Sequence, residues 1–383
     1  MIIVLSDDYT GAAEIGGIGL RYGLAAEIHT GIGEIPGCDL LVVDTDTRSS
    51  RVGEAVRTIR ETGQKLAGVK GVGIYKKVDS VLRGHVIEEV HSLMETLSLP
   101  AALIVSANPS RGRTLHDGQY FIDGTPLDRT QFARDPLHAV PSSRVLNWIA
   151  RSGSLIPDLR RPGEGMPERG VVIGEVRTWK DLRNWAECAG PGILTAGAAD
   201  FFSVLLEKEG RTRKESPVSP RRRSERILFV CGSASDTSRE WVRKNRENSD
   251  NVCPLPSEIF RSRNEWDRRI REWADRVAEG FQNRSAMIVS IDEPVVMDMA
   301  LTNRLRRAIA DLTSLVLERV PVDGLILEGG ATASAVMRRL GWTRCRIVEE
   351  LAPGVVRMEV MTDTSCLVTI KPGSYAWPEG QVW

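Results

Sequence analysis

The chain is built from short apolar runs of strand length, each ending in small or charged residues and most followed by a longer stretch with helical spacing of apolar positions. Met1 to Leu5, Leu40 to Val43, Val72 to Tyr75, Ala102 to Val105 and Val171 to Ile173 set the pattern in the first half. Ile227 to Val230, Met287 to Ile291, Leu325 to Leu327 and Leu367 to Ile370 repeat it in the second. Continuous apolar runs fit strands covered on both faces, and their alternation with helical patterns predicts parallel βαβ units. Residues 264–280, NEWDRRIREWADRVAEG, show the helical side of the pattern. Trp266, Ile270, Trp273 and Val277 recur at helical spacing while arginines and acids fill the other face, so an amphipathic helix with its tryptophans in the core is expected.

Between the two sets of runs lies EGRTRKESPVSPRRRSER, Glu209 to Arg226, rich in Arg, Ser and Pro and nearly free of apolar residues. It predicts an exposed linker or loop, because no aromatic side chains interleave the charges as a nucleic-acid surface would need. At 383 residues the chain exceeds the usual size of one hydrophobic core. The expected division is therefore a domain over 1–208, a linker or loop over 209–225 and a domain over 226–383. The predicted fold class is α/β, with two domains, each a mainly parallel sheet flanked by helices.

Charge and cysteine usage narrow the setting. Lys plus Arg and Asp plus Glu each number 51, so no bulk field draws the chain to nucleic acid or a membrane surface, and neither is an expected partner. The opening MIIVLSDDYTG reads as a first strand rather than a signal peptide, and no run approaches the roughly 20 apolar residues of a membrane span. Six scattered cysteines without a CxxC pair predict reduced, mostly buried thiols in a cytoplasmic protein, and no metal-ligand set is assigned.

Ligands of open parallel sheets bind outside the carboxyl ends of the strands, at a switch in strand order. The polar residues that follow each run are therefore the candidate chemistry. The first end carries Asp7, Asp8 and Thr10; one acid suffices to cap a helix that begins at Thr10 or Gly11, which leaves a carboxylate to spare. The second end, DTDTR, brings Arg48; the third, KKVDSVLRGH, brings Lys76, Asp79 and Arg83; the fourth, SANPSRGRT, brings Asn108 and Arg113. Together they predict a pocket for a small, polyhydroxylated anion. Asp8 and Asp79 can accept hydrogen bonds from hydroxyl groups, or take the proton of a hydroxyl that attacks an electrophile. Arg83 and Arg113 suit a substrate carboxylate through the planar fork of the guanidinium.

The second half offers glycine turns after strands. LILEGGATASAVMRRLG places a glycine pair and small hydroxyl residues before a helix; VCGSASDTS and TIKPGSYA end two further runs in the same way. Such turns let backbone N–H groups approach a phosphate, and three of them opposite a polyol pocket favour a kinase. No GxxxxGK[ST] occurs, so the chain is not a P-loop enzyme.

The segments DDYTGA, TDTR, KKVDSVLRGH, NPSRGRT with the following GQYFIDGTPL, and DPLHAVPSSRV resemble those of the four-carbon acid sugar kinase family. GSAS at 232–235, the turn at 329–332, PGV at 353–355 and the final KPGS are similar to the nucleotide-domain motifs of that family, in the same order. The resemblance implies an N-terminal sugar-acid domain, a C-terminal nucleotide domain and an active-site cleft between them. It also implies phosphorylation of threonate, erythronate or 3-oxo-tetronates with ATP and Mg²⁺. By this resemblance Ser233, Ser235, Gly329, Gly330, Ala331, Thr332 and Gly373 contact ATP, while Asp8, Lys76, Asp79 and Arg83 line the sugar-acid site. Asp79 or Asp8 is the expected proton acceptor, and Lys76 or Arg83 steadies the transferred phosphoryl or the substrate carboxylate. Two competing readings are a kinase of another small acid such as glycerate, and a sugar-acid-binding protein without catalysis. A homodimer is compatible with the sequence, which does not decide the assembly.

Overall fold

A computed structural model describes residues 1–135, 138–149, 156–214, 224–233, 235–256, 265–291, 299–362 and 364–377. The chain divides into two compact units, Met1–Glu215 and Ser216–Trp383. Most of the expected linker, residues 215–223, lies outside the described residues, as do Ala234 of the GSAS segment and Pro136 and Leu137 of DPLHAVPSSRV. Just before it, the Lys214 N–H donates to the Arg21 carbonyl at 2.8 Å.

The first unit opens with β1 (Ile2–Ser6), α1 (Tyr9–Arg21), β2 (Ala26–Thr30), β3 (Leu40–Asp44), α2 (Val52–Leu66), β4 (Gly73–Lys77), α3 (Val86–Leu97) and β5 (Ala101–Val105). A small antiparallel sheet follows, β6 (Arg113–His116), β7 (Gln119–Ile122) and β8 (Thr125–Pro126), then the short helix α4 (Leu146–Ile149) and β9 (Asp158–Arg160). The unit closes with β10 (Gly170–Gly174), α5 (Trp179–Cys188), β11 (Ile193–Gly197) and α6 (Ala199–Lys208). Its main sheet runs β2-β3-β1-β4-β11-β5-β10-β9, every pair parallel. Helices α2 and α3 pack together, as do α1, α5 and α6. Right-handed crossovers place these two groups on opposite faces, which explains why LLVVD of β3 is buried along its whole length. Leu41, Val43, Ile59, Val90 and Leu93 belong to the continuous core this creates.

The second unit contains β12 (Ile227–Cys231), α7 (Asp236–Asn248), β13 (Val252–Pro254), α8 (Trp266–Gly280), β14 (Ala286–Ser290), α9 (Met299–Arg319), β15 (Gly324–Glu328) and α10 (Gly330–Arg339). The hairpin β16 (Arg344–Ala352) and β17 (Val355–Val360) and the strand β18 (Leu367–Lys371) complete it. The order is β13-β14-β12-β15-β18-β17-β16, parallel except that β17 runs against both neighbours. In α8, Ile270, Trp273 and Val277 are buried as their spacing predicts, and Ala274 is buried with them. Trp266 departs from the expectation: it is half-buried, with the Arg304 guanidinium 5.6 Å from its ring centroid. All six cysteines are free thiols; Cys231, Cys345 and Cys366 are buried and the other three half-buried. Among the described residues no helix is long and apolar enough to cross a membrane.

Candidate active site

The strand order of the first unit switches at β1. From β1 the chain moves through α1 to β2 and β3 on one side, then through α2 to β4 on the other, so α1 and α3 leave neighbouring strands toward opposite faces. The carboxyl ends of these strands are level, with Ser6 in register with both Asp44 and Lys77. The chain emerging from each end therefore meets in the crevice where ligands of such sheets bind.

Asp8 caps α1, which starts at Tyr9, one residue before the expected position. Its Oδ1 accepts from the Gly11 N–H at 2.9 Å and its Oδ2 from the Thr10 hydroxyl at 2.5 Å. A Cβ on Gly11 would come within 2.7 Å of Asp8 Oδ1 and 2.8 Å of Ser6 Oγ, so glycine is what lets the helix begin against the acids. Arg48 then ties the first two strand ends together. It donates Nε and Nη2 to the two oxygens of Asp7 at 2.7 and 2.8 Å, and Nη2 also to Asp8 Oδ1 at 2.8 Å. Its Nη1 stands 3.6 Å from Asp79 Oδ1, so one guanidinium serves three carboxylates.

Asp79 organises the loop after β4. Its Oδ2 accepts the backbone N–H of Val81 and of Arg83, each at 3.2 Å, which closes a turn carrying the buried Leu82 at φ 59°. Arg83 returns a bidentate pair to Asp79, Nε at 2.9 Å and Nη2 at 2.8 Å, and gives Nη1 to Asp135 at 2.7 Å. The Phe132 ring lies against both Arg83 and Arg113, at 5.0 and 5.5 Å from its centroid. Arg113 Nη1 donates to the Ser80 hydroxyl. Among the described residues Arg113 makes no ion pair with a carboxylate.

Burial opposes the charged form of Asp79, yet the Arg83 and Arg48 guanidiniums outweigh it and hold the carboxyl well below the usual range. Asp7 is also lowered, with burial again opposing and Arg48 prevailing. His138, whose Nε2 lies 3.2 Å from Ser49 Oγ, is pushed down to about 4 by burial and by Arg48 and Arg83, against the pull of Asp135. The imidazole is thus neutral at pH 7.

Two expected substrate contacts, Lys76 and Asn108, are engaged within the fold. β4 runs two residues past Tyr75, through both lysines, and strand alternation sends these to opposite faces. Lys76 is wholly buried, with its ammonium on Glu89 of α3 at 2.7 Å beneath the sheet end. Lys77 goes to Glu14 of α1 at 3.6 Å. Asn108, 1% exposed, uses its Oδ1 to accept the Asp200 N–H at 3.0 Å and so fixes the start of α6. Asp7, Asp8, Thr10, Arg48, Asp79, Arg83 and Arg113 do surround the crevice. Asp135, Phe132, Ser49 and His138 join them without having been singled out; Asp135 and His138 lie in DPLHAV, whose polar positions were the one available signal.

In the second unit the chain passes from β12 to β13 and β14 on one side and then to β15 on the other, a second switch point. The expected residues gather at the carboxyl ends of β12, β15 and β18. Ser235 caps α7 and donates its hydroxyl to the Gly373 carbonyl at 2.5 Å, and Ser233 Oγ lies 3.2 Å from Ser235 Oγ. A Cβ on Gly373 would collide with Ser233 Oγ, which is why this turn needs glycine. Gly329, at φ 91°, donates its N–H to the Lys371 carbonyl at 2.8 Å and turns the chain into α10, whose first turn holds Gly330, Ala331 and the buried Thr332. Small residues and open helix starts at adjacent strand ends form the backbone cradle that phosphate oxygens favour. Among the described residues no group of three or more His, Cys, Asp or Glu side chains is arranged to hold a metal.

A unit with acids and arginines at one switch point and a unit with glycine turns at another define a protein that handles a polar small molecule and a phosphate-bearing one. Comparison with known proteins agrees. A profile described as a sugar-binding N-terminal domain matches residues 2–200, and one described as a nucleotide-binding C-terminal domain matches residues 228–375. The chain belongs to the four-carbon acid sugar kinase family. It is 26% identical to a D-threonate kinase of Salmonella typhimurium, over 92% of this chain and 89% of the relative. A D-erythronate kinase of Heliobacterium modesticaldum is 24% identical over 92% and 88%, and a 3-oxo-tetronate kinase of Haemophilus influenzae 20% over 98% and 97%. Crystal structures of a Salmonella typhimurium protein (TM-score 0.76, covering 98% of this chain and 96% of that one) and a Haemophilus influenzae protein (0.68, 98% and 97%) share the fold, each at 19% identity.

Proposed function

We propose that the protein is an ATP-dependent kinase that phosphorylates a terminal hydroxyl of a four-carbon sugar acid: threonate, erythronate or a 3-oxo-tetronate. Residues 1–208 hold the acid and residues 226–383 the nucleotide, and the reaction belongs in the cytoplasm. The observation that carries this reading is the network of Asp7, Asp8, Arg48, Asp79, Arg83 and Asp135 at the switch point of the first unit, beside an Arg113 without a carboxylate partner among the described residues. Relatives named as kinases of such acids, matched over nearly their whole length, support it.

Arg113 receives the substrate carboxylate, because Arg48 and Arg83 are already neutralised by acids. Phe132 and Ser80 hold its guanidinium in place for a two-pronged contact. Asp8 accepts the proton of the attacking hydroxyl: its side chain is 11% exposed, against 5% for Asp7 and 7% for Asp79. The guanidiniums hold Asp79 too acidic for that task, so it anchors Arg83 instead. Phosphoryl transfer needs alignment and charge neutralisation more than covalent help. The turns at Ser233, Gly329 to Thr332 and Gly373 hold the phosphates of ATP through backbone N–H groups and hydroxyls. Mg²⁺ bound together with ATP would supply charge neutralisation for the phosphates.

A coupled ADP-release assay with threonate, erythronate, their 3-oxo forms and glycerate tests the reading. A four-carbon acid should exceed glycerate in kcat/KM by about tenfold or more, the equivalent of one lost hydroxyl contact. A preference for glycerate makes the protein a different sugar-acid kinase. Sugar-acid binding by calorimetry without ADP at any nucleotide concentration makes it a binding protein.

A further inference from the structure

Directly behind the glycine turns of the second unit lies a charged pair that phosphate binding leaves unexplained. Glu328 and Lys371 are the last residues of β15 and β18 and stand in register. Both side chains are 0% exposed, with Nζ 2.7 Å from Glu328 Oε1. The other carboxylate oxygen, Oε2, accepts from the hydroxyl of Ser238 in the first turn of α7. Lys371 Nζ also donates to the Pro372 carbonyl at 3.1 Å and lies 4.6 Å from the centroid of the Trp377 ring. Each partner thus borders one of the three turns. Glu328 precedes Gly329, Lys371 precedes Pro372 and Gly373, and Ser238 follows the cap Ser235, which holds the Gly373 carbonyl.

We propose that Glu328 is the positioning residue of the nucleotide site, fixing the three turns against one another through Lys371 and Ser238. This rests on reading the second unit as the ATP-binding one. A fully buried ion pair adds little stability over an apolar pair of the same volume, so stability alone is a poor reason for three polar groups here. Direction is what the ion pair has and an apolar pair lacks. Hydrogen bonds from one carboxylate to an ammonium and a hydroxyl set distance and angle together, whereas packed hydrocarbon tolerates sliding. Donors that must meet phosphate oxygens need placement within a fraction of an ångström, and a rigid supporting layer provides it. Glu328 touches neither substrate; it acts by where it puts Gly329, Gly373 and the start of α7.

The test uses the full chain and three variants: Glu328→Gln, Ser238→Ala, and Glu328→Gln combined with Lys371→Met. Calorimetry gives the Kd for ATP, steady-state kinetics the KM for each substrate, and thermal melting the Tm. Glu328→Gln should raise the Kd and KM for ATP by about tenfold or more, with the sugar-acid KM unchanged within about twofold. Ser238→Ala should shift ATP binding in the same direction by about threefold to tenfold, and it decides the matter if Glu328→Gln does not fold. The double variant, with no unpaired buried charge, should regain the Tm but not the ATP affinity. Recovery of both together would mean the pair is only structural and would overturn the proposal. So would an unchanged ATP affinity in folded single variants, or an equal rise in both KM values. If the unaltered protein binds no ATP, the nucleotide reading fails and the proposal falls with it. If the unaltered protein binds ATP and the variants bind it equally well, the positioning role alone is wrong.

Discussion

Asp79→Asn separates an anchoring acid from a catalytic base. The carboxylate takes the Arg83 guanidinium at 2.9 and 2.8 Å and two backbone N–H groups at 3.2 Å, with Arg48 at 3.6 Å, in a side chain only 7% exposed. An amide keeps one acceptor but turns an NH₂ group toward a guanidinium. Breaking one partner of a buried pair costs about 3–5 kcal/mol. Arg83 keeps Asp135 at 2.7 Å, so the lower end applies. A loss of about 3 kcal/mol lowers Tm by about 6–12 °C for a unit of this size. Because Arg83 and Phe132 support the place assigned to Arg113, the sugar-acid KM should rise by about tenfold while kcat falls by less than about tenfold. The assay is coupled ADP release at saturating ATP and at saturating sugar acid, alongside thermal melting. A general base would behave otherwise, with kcat falling by about 10² to 10⁴. If kcat collapses to that extent with Tm and sugar-acid KM preserved, Asp79 is the base and the anchoring argument is wrong.

Three further outcomes follow from the same geometry. Arg113→Ala should raise the sugar-acid KM by about tenfold to a hundredfold, the worth of about 1.5–3 kcal/mol for a charge-assisted contact, and leave the ATP KM alone; equal effects on both would remove Arg113 from the carboxylate. Gly373→Ala, whose Cβ would press on Ser233, should raise the ATP KM by about tenfold without changing the sugar-acid KM, and a reversed pattern in the kinetics would contradict the assignment of that turn. His138 has its folded pKa lowered to about 4 from an ordinary 6.5, so below pH 6.5 the unfolded chain binds the extra proton and stability falls as pH drops toward 4. His138→Gln should therefore flatten the Tm–pH curve between those limits, and an unchanged slope would place the pH dependence elsewhere.

The nine apolar runs read from the sequence are all strands, because buried parallel strands and their connections follow from local pattern, and the polar ends of β1, β3 and β4 meet at the switch point of the first unit. Other strands were hidden for physical reasons. β2, AEIHT, buries Glu27 and His29 by pairing them at 2.9 Å, so its polarity disguises a covered strand, while β9 and β13 are only three residues long. Within the site, residue types were legible but directions were not. Lys76 and Lys77 look equivalent in the sequence; where the strand ends decides that one meets Glu89 and the other Glu14. Likewise, nothing local shows that Arg48 is neutralised by Asp7 and Asp8 of another strand end, that Arg83 adds Asp135 to its neighbour Asp79, or that Arg113 has no carboxylate ion pair among the described residues. Glu328 reads as the tail of an apolar run, and only the register with Lys371 reveals its partner.

The central claim is that this protein moves the γ-phosphoryl of ATP onto a terminal hydroxyl of a four-carbon sugar acid. Phosphorus NMR of a reaction containing ATP, Mg²⁺ and threonate or erythronate, run with and without the protein, tests it most directly. The account predicts one new phosphomonoester signal coupled to the protons of a terminal CH₂ group, growing in step with ADP. Inorganic phosphate accumulating with ADP in its place, or a phosphate carried on an internal carbon, would contradict it.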